Sequence, residues 1–263
     1  MGASLIIGFR EGLEAALVVG LVVGVLSRTN AEALKRYVWF GVLAAVGCAL
    51  LLGGGLFALG RTFTGRGAQL FEGGTMLVAA LVLTWMIFWM EDHGREISRR
   101  LVSDTEEALS VGKVALFLVA FTAVLREGVE TALFLMAAIF RSSWVDGVIG
   151  AALGIALAVG VGILIFRWSV NVNVTRFFRV TGVLLLFIAA GLIAHGIHEF
   201  QEMGLLPVFV EELWNVNSWL DEEGPVGSFL KALFGYNGNP SLLEVLSYTL
   251  YLALAGGAMV REA

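Results

Sequence analysis

The sequence predicts an all-α, polytopic membrane protein, with seven transmembrane helices arranged as an inverted 3+3 repeat and a seventh helix appended. Three observations carry this expectation. First, the 263 residues are 58% hydrophobic and only 15% charged, with a mean hydropathy of +0.86, whereas a soluble domain carries roughly 25% charge. Second, apolar runs of about 20 residues, long enough to cross a bilayer core as a helix, recur along the chain, and nothing shows the alternation of a membrane barrel strand. Third, an octapeptide is nearly duplicated inside two of those runs. Arg10-Glu11-Gly12-Leu13-Glu14-Ala15-Ala16-Leu17 and Arg126-Glu127-Gly128-Val129-Glu130-Thr131-Ala132-Leu133 agree at six of eight positions, at a constant offset of 116 residues.

The spans are read near Ala3–Leu26, Tyr37–Gly60, Ala68–Met90, Lys113–Phe140, Val145–Phe166, Phe177–His198 and Ser241–Val260. The first begins without a preceding basic region, so it reads as a span and not as a cleaved leader. Many of the 33 glycines fall within spans, where they suit close helix approach. The stretch Glu91–Lys113 mixes both signs of charge and reads as a solvated connector. After the sixth span, Glu199, Glu202, Glu211, Glu212, Asp221, Glu222 and Glu223 face only Lys231. Trp214, Trp219, Phe229 and Phe234 in that stretch suit a short helix at the membrane interface. The whole reads as one permease domain, 1–263: repeat 1 about 3–90, repeat 2 about 113–200, an acidic outer loop about 200–240 and a final helix about 241–260.

Basic residues set the direction. With the N-terminus outside, the cytoplasmic side holds eleven: Arg28, Lys35, Arg36, Arg95, Arg99, Arg100, Lys113, Arg167, Arg176, Arg179 and Arg261. The outer side holds four: Arg61, Arg66, Arg141 and Lys231. The positive-inside rule then gives an N-out, C-in protein, and the expected location is the inner, cytoplasmic membrane. The octapeptides fall on spans one and four. Three spans per unit is an odd number, so the second unit enters from the opposite side, the inverted repeat of many transporters. At 1.5 Å per residue, Glu14 and Glu130 both lie roughly 15 Å below the outer ends of their spans, near the middle of the core.

Charge at membrane depth is costly and usually functional. On a helix Arg10, Glu11 and Glu14 share one side, as do Arg126, Glu127 and Glu130. Facing one another, they give four carboxylates and two guanidinium groups. That acid excess would be relieved by a multiply charged cation, and an all-oxygen set suits a hard one such as ferric iron. Arg10 and Arg126 would balance the charge. The bland alternative is an Arg–Glu lock that sets helix register, which needs fewer acids than are present. A candidate access route comprises Glu72, at the start of span three, and the stripe His195, His198, Glu199 and Glu202, spaced i, i+3, i+4 and i+7 on span six. Polar residues also collect at a helix end simply because water is there. Glu72 and Glu244 each read alternatively as helix-start carboxylates, the more so for Glu244. Met76, Met86 and Met90 read as packing.

Several classes are excluded or disfavoured. A net charge of −5 without a basic patch argues against nucleic acid. The single Cys48 rules out a disulfide framework or thiolate site. No nucleotide-binding loop points to direct ATP use, and no nucleophile or second motif supports an enzyme. A permease for a ferrous or other divalent cation, and a membrane metal-binding sensor without transport, remain as alternatives.

Arg-Glu-Gly-Leu-Glu in span one, repeated as Arg-Glu-Gly-Val-Glu in span four, resembles the oxidase-dependent iron transporter family, which comprises fungal high-affinity iron permeases and bacterial Efe-type iron permeases. Its hallmark is an R-E-x-x-E motif in the first and fourth transmembrane helices, and Phe71-Glu72-Gly73 is similar to its third-helix pattern. The resemblance covers essentially the whole chain. It implies uptake of ferric iron into the cytoplasm, with iron as transported substrate and no organic cofactor. It also implies a periplasmic iron-binding protein and a haem peroxidase or other oxidase as partners, alongside the lipid bilayer. A homo-oligomer is left open.

Overall fold

The apolar runs fold into helices, because a chain surrounded by hydrocarbon must satisfy its backbone polar groups within each segment. The computed structural model describes residues 1–140, 143–168, 174–222 and 224–262. Arg141 and Glu223 lie outside these residues, as do the side chains of Arg95, Arg167 and Arg176. The helices are α1 (Gly2–Arg28), α2 (Lys35–Gly60), α3 (Arg66–Val111), α4 (Lys113–Phe140), α5 (Trp144–Trp168), α6 (Val174–Glu202), α7 (Pro225–Phe234) and α8 (Leu242–Glu262). Among the described residues there is no strand. Among the described residues, five segments are long and apolar enough to cross a membrane: Glu32–Gly60, Arg66–Met90, Trp144–Phe166, Arg179–Glu202 and Leu242–Arg261. The helices α1 and α4, 27 and 28 residues long, are of similar length. Each carries three motif charges within otherwise apolar sequence.

Packing follows a paired pattern. α1 lies along α5, α4 along α2, α3 along α6, and α1 meets α4 in the middle. α1 and α4 run antiparallel: Ala3 and Ile7 cluster with Phe134 and Ala138, while Val22 and Leu26 cluster with Leu116 and Ala120. The flanking pairs approach through small residues. A Cβ on Gly8 would come 2.6 Å from the Ala151 carbonyl oxygen, and one on Gly154 would run into the Leu5 and Phe9 backbones. On the other side, a Cβ on Gly128 would come 2.6 Å from the Ala49 Cβ. Such contacts substitute for a hydrophobic driving force, which is missing between helices in lipid. Leu50, Leu51, Leu81 and Leu254 point outward and are exposed, as lipid-facing side chains would be.

The stretch expected as a solvated connector folds differently. α3 continues without interruption from Met90 to Val111. Leu101 and Ala108 are buried against Val22, Leu26, Val38 and Leu116, and Thr105 is fully buried. Apolar residues seven apart in a charged sequence give one covered face and one solvated face, a pattern easily read as merely polar. The chain then turns into α4 at Gly112, whose φ of +125° suits only glycine. In the outer acidic segment, α7 is the expected short helix, with Pro225 in its first turn and Gly235 ending it at φ +68°. Val226 and Phe229 are exposed, whereas Phe234 turns inward onto Phe187, with ring centroids 5.3 Å apart.

The α1–α5 contact leads to a prediction. Gly154→Leu should overpack it and lower the stability of the detergent-purified protein by about 1–3 kcal/mol. Gly160→Leu, with nothing within 4 Å of its added Cβ, should have little effect. Thermal unfolding followed by loss of the monodisperse peak compares the two.

Candidate metal site

The central site forms where α1 crosses α4. Gly12 turns towards α5 and Gly128 towards α2, which leaves the charged faces of α1 and α4 towards each other. Arg10, Glu11, Glu14, Glu127 and Glu130 are all buried. Glu11, Glu14 and Glu127 each present a carboxylate oxygen within 4.8 Å of the others. Glu130, one turn further along α4, is near enough to Glu11 and Glu14 for their charges to act on one another. The structure therefore brings together all four motif carboxylates singled out in the sequence.

The arginines answer only part of this charge. Arg10 Nη1 donates to Glu11 Oε1 at 2.8 Å, and Arg10 Nη2 lies 3.1 Å from Glu14 Oε1. Arg126 Nε donates to Glu130 Oε1 at 3.0 Å and lies 4.0 Å from Glu127 Oε1. Glu11 Oε2, Glu127 Oε2 and Glu130 Oε2 are buried without a hydrogen-bond partner among the described residues. An unmatched buried acceptor costs free energy. Oxygens converging in this way suit a cation that takes several of them at once.

The two motifs differ in their surroundings. The Arg10 side chain is 2% exposed, and that of Arg126 is 37% exposed. Both reach the same stretch of α3. Arg10 Nη1 and Nη2 point at Met86 Sδ and Met90 Sδ, each at 2.9 Å, and the Arg126 guanidinium lies 4.5 Å from the centroid of the Trp89 ring, a cation–π contact. Met86 and Met90 read as packing in the sequence. Met76 is packing, fully buried in the α3–α6 core, but Met86 and Met90 touch the site. Trp89 was not singled out. A four-residue spacing on α3 was the only sequence signal for the methionines.

The second polar group lies at the helix ends near α7. His198 on α6 bridges two carboxylates: Nδ1 is 3.0 Å from Glu244 Oε1 and Nε2 is 3.1 Å from Glu202 Oε1. Gln69 donates to Glu202 Oε2 at 3.0 Å. Glu72 is near enough to Glu199 and Glu202 for their charges to act on one another, and His195 stacks on His198 at 5.7 Å. Glu72, His195, His198, Glu199 and Glu202 thus form one cluster, but with both ring nitrogens engaged, His198 ties α6 to α8. Glu244 caps α8: it accepts the Ser241 backbone N–H at 3.1 Å, while Ser241 Oγ accepts the Glu244 N–H at 3.4 Å. This reciprocal pair is a capping box, as the sequence favoured.

A cavity of about 390 Å³ opens between α1, α4, α6 and α7. Ser4, Ile7, Phe134, Ile188, Asp146 and Lys231 line it. Ile7 precedes Glu11 by one helical turn, and Phe134 follows Glu130 by one turn. The cavity therefore stops one apolar layer short of the carboxylates.

The profile of the Iron permease FTR1 family matches residues 1–261. The ferrous iron permease EfeU of Escherichia coli O6:K15:H31 (strain 536) is 38% identical over 260 residues, covering 97% of this chain and 94% of that protein. EfeU of Shigella sonnei is 38% identical over 252 residues, with 94% and 91% covered. EfeU of Yersinia pestis is 36% identical over 250 residues, with 94% and 89% covered. No solved structure matches the chain. The chain belongs to the Iron permease FTR1 family: it is a transporter with several membrane-spanning helices, not an enzyme.

If His198 is an interhelix tie, His198→Ala should lower stability by about 1–2 kcal/mol, since Glu244 loses a partner while keeping its capping contacts. Iron affinity of the purified protein should stay unchanged. Thermal unfolding and a metal-binding titration on the same preparation separate the two effects.

Proposed function

We propose that this chain moves iron, in the ferrous form, across the cytoplasmic membrane into the cell, and that Glu11, Glu14, Glu127 and Glu130 bind the ion on its way. The convergence of four buried carboxylates, three with an unpartnered oxygen, carries the reading. A lock between two helices would need one acid per arginine and would leave no acceptor unmatched. Arg10 and Arg126 hold the acids together when no ion is present, and each yields carboxylate oxygens as the ion arrives.

The sequence reading favoured ferric iron because the motif ligands are all oxygen. The relatives are named ferrous iron permeases, and ferrous iron also accepts carboxylate ligands, so the proposal takes the ferrous ion. The inverted repeat, with unit one about 3–90, unit two about 113–200 and α8 outside both, is supported by the pairing of α1 with α5 and of α4 with α2 around antiparallel α1 and α4. The N-out, C-in orientation rests on the placement of basic residues. In that orientation the cavity beneath α7 faces outward, and Ile7 and Phe134 form the apolar layer an entering ion must pass. The cluster of Glu72, His195, Glu199 and Glu202 draws cations to the same face. A periplasmic iron-binding protein would deliver the ion there, whereas the haem peroxidase or other oxidase that the resemblance implies suits a ferric ion and has no step to supply to one that crosses as ferrous.

Replacing a carboxylate with its amide keeps the shape and removes a charged ligand, a loss of roughly 10–100-fold in ion affinity. Proteoliposomes carrying Glu14→Gln or Glu130→Gln, with insertion verified, should take up radioactive ferrous iron at least about tenfold more slowly at low iron concentration. Uptake at the unsubstituted rate in both would end the proposal. Iron that binds without crossing would mark a sensor instead of a permease.

A further inference from the structure

The guanidinium of Arg10 is a cation sitting in a cage, and the atoms around it describe what a metal ion would meet in its place. Nη1 is shared by Glu11 Oε1 at 2.8 Å and Met86 Sδ at 2.9 Å. Nη2 is shared by Glu14 Oε1 at 3.1 Å and Met90 Sδ at 2.9 Å. Two carboxylates and two thioethers thus lie against one buried positive group. Thioether sulfur is a weak acceptor, so the two sulfurs add little to what the Glu11 and Glu14 oxygens already give the guanidinium. Met86 is fully buried, so its sulfur is not turned inward by chance from a solvent-facing position. Met86 and Met90 are four apart on α3 and present their sulfurs to the same guanidinium from successive turns.

We propose that Met86 and Met90 are ligands of the transported ion, completing with Glu11 and Glu14 a mixed oxygen–sulfur cage that Arg10 fills until the ion displaces it. This rests on the permease reading and adds its selectivity. Oxygen ligands alone favour hard ions, whereas thioether sulfur favours softer, borderline divalent ions over hard ones. Such a cage takes ferrous iron over ferric iron, magnesium or manganese. Its occupancy by Arg10 keeps the carboxylates from collecting abundant hard cations, because an entering ion must offset the loss of the arginine's contacts. The unbranched methionine side chains can follow the ion as it settles.

The experiment uses the full chain in lipid nanodiscs, loaded anaerobically with ferrous iron and read by X-ray absorption at the iron edge. Sulfur scatterers are expected around iron in the native protein and should disappear in Met86→Leu/Met90→Leu. A selenomethionine-labelled native chain, in which selenium should appear around iron, gives the same reading if the double variant does not fold. In proteoliposomes, the cadmium concentration that halves ferrous uptake should rise about tenfold in the double variant, while that for manganese should change less than about twofold. An all-oxygen shell around bound iron, or unchanged cadmium inhibition, overturns the cage and leaves the permease standing. Native proteoliposomes that fail to take up iron overturn the permease itself, and the iron-edge spectrum then still decides whether the sulfurs bind.

Discussion

Carboxylates in excess of arginines, held away from water at the crossing of α1 and α4, are the constraint around which the other features arrange themselves. Breaking a buried ion pair by removing one partner typically costs about 3–5 kcal/mol, so the motif charges cannot simply be exposed or lost as helices shift. Each arginine is tied to acids on its own helix, Arg10 to Glu11 and Glu14, Arg126 to Glu130. The remaining oxygens then face one another across the helix crossing, and their repulsion falls only when a positive charge lies between them. A fold that tolerates this arrangement when empty must hold the crossing rigidly by other means.

Those means are the flanking pairs. Gly8, Gly12 and Gly154 let α1 and α5 approach to backbone contact, and Gly41, Ala49 and Gly128 do the same for α2 and α4. Both motif glycines therefore face away from the acids, Gly12 onto α5 and Gly128 onto α2. The small residue inside each motif serves the buttress behind it and not the meeting of the two charged faces. This links two parts of the octapeptide that otherwise seem unrelated: the acids point into the crossing because the glycine seats the opposite face of the same helix turn.

Much of this was legible from the sequence because it is periodic or duplicated. The repeated Arg-Glu-Gly-x-Glu gave the four acids and both arginines, and its presence in two apolar runs pointed to their meeting. Spans such as Tyr37–Gly60 were readable from hydropathy alone. What was not legible depends on partners distant in the chain. His198 looked like a ligand because its helical stripe is acidic, but Glu244 and Glu202 occupy both nitrogens. Met86 and Met90 looked like filler because sulfur in an apolar helix carries no local signal; only the approach of Arg10, 76 and 80 residues away, gives them another meaning. The extension of α3 to Val111 was hidden because Leu101, Thr105 and Ala108 are sparse among charges, and their burial depends on the ends of α1, α2 and α4.

α3 is also where the surroundings of the two motifs differ. α1 and α4 carry matching motifs, and α5 and α2 buttress them in matching ways, yet both guanidinium groups come to rest on α3. Arg10 sits against Met86 and Met90, and Arg126 over Trp89, one residue before Met90. α6, which would be the counterpart, contributes Leu185, Leu186, Ile188 and Leu192 to the apolar core instead. The restraint on the two motifs is consequently unequal. Arg126 keeps a more exposed side chain, so in the permease reading its guanidinium has room to move aside when Glu127 and Glu130 turn to an ion. Arg10 has almost no such outlet, and its release requires that something else take its place among the same acceptors. In the permease reading, an ion is therefore exchanged for Arg10 but merely loosens Arg126. A site built from two like halves acquires two unlike sides, with α3 as the element that makes them differ.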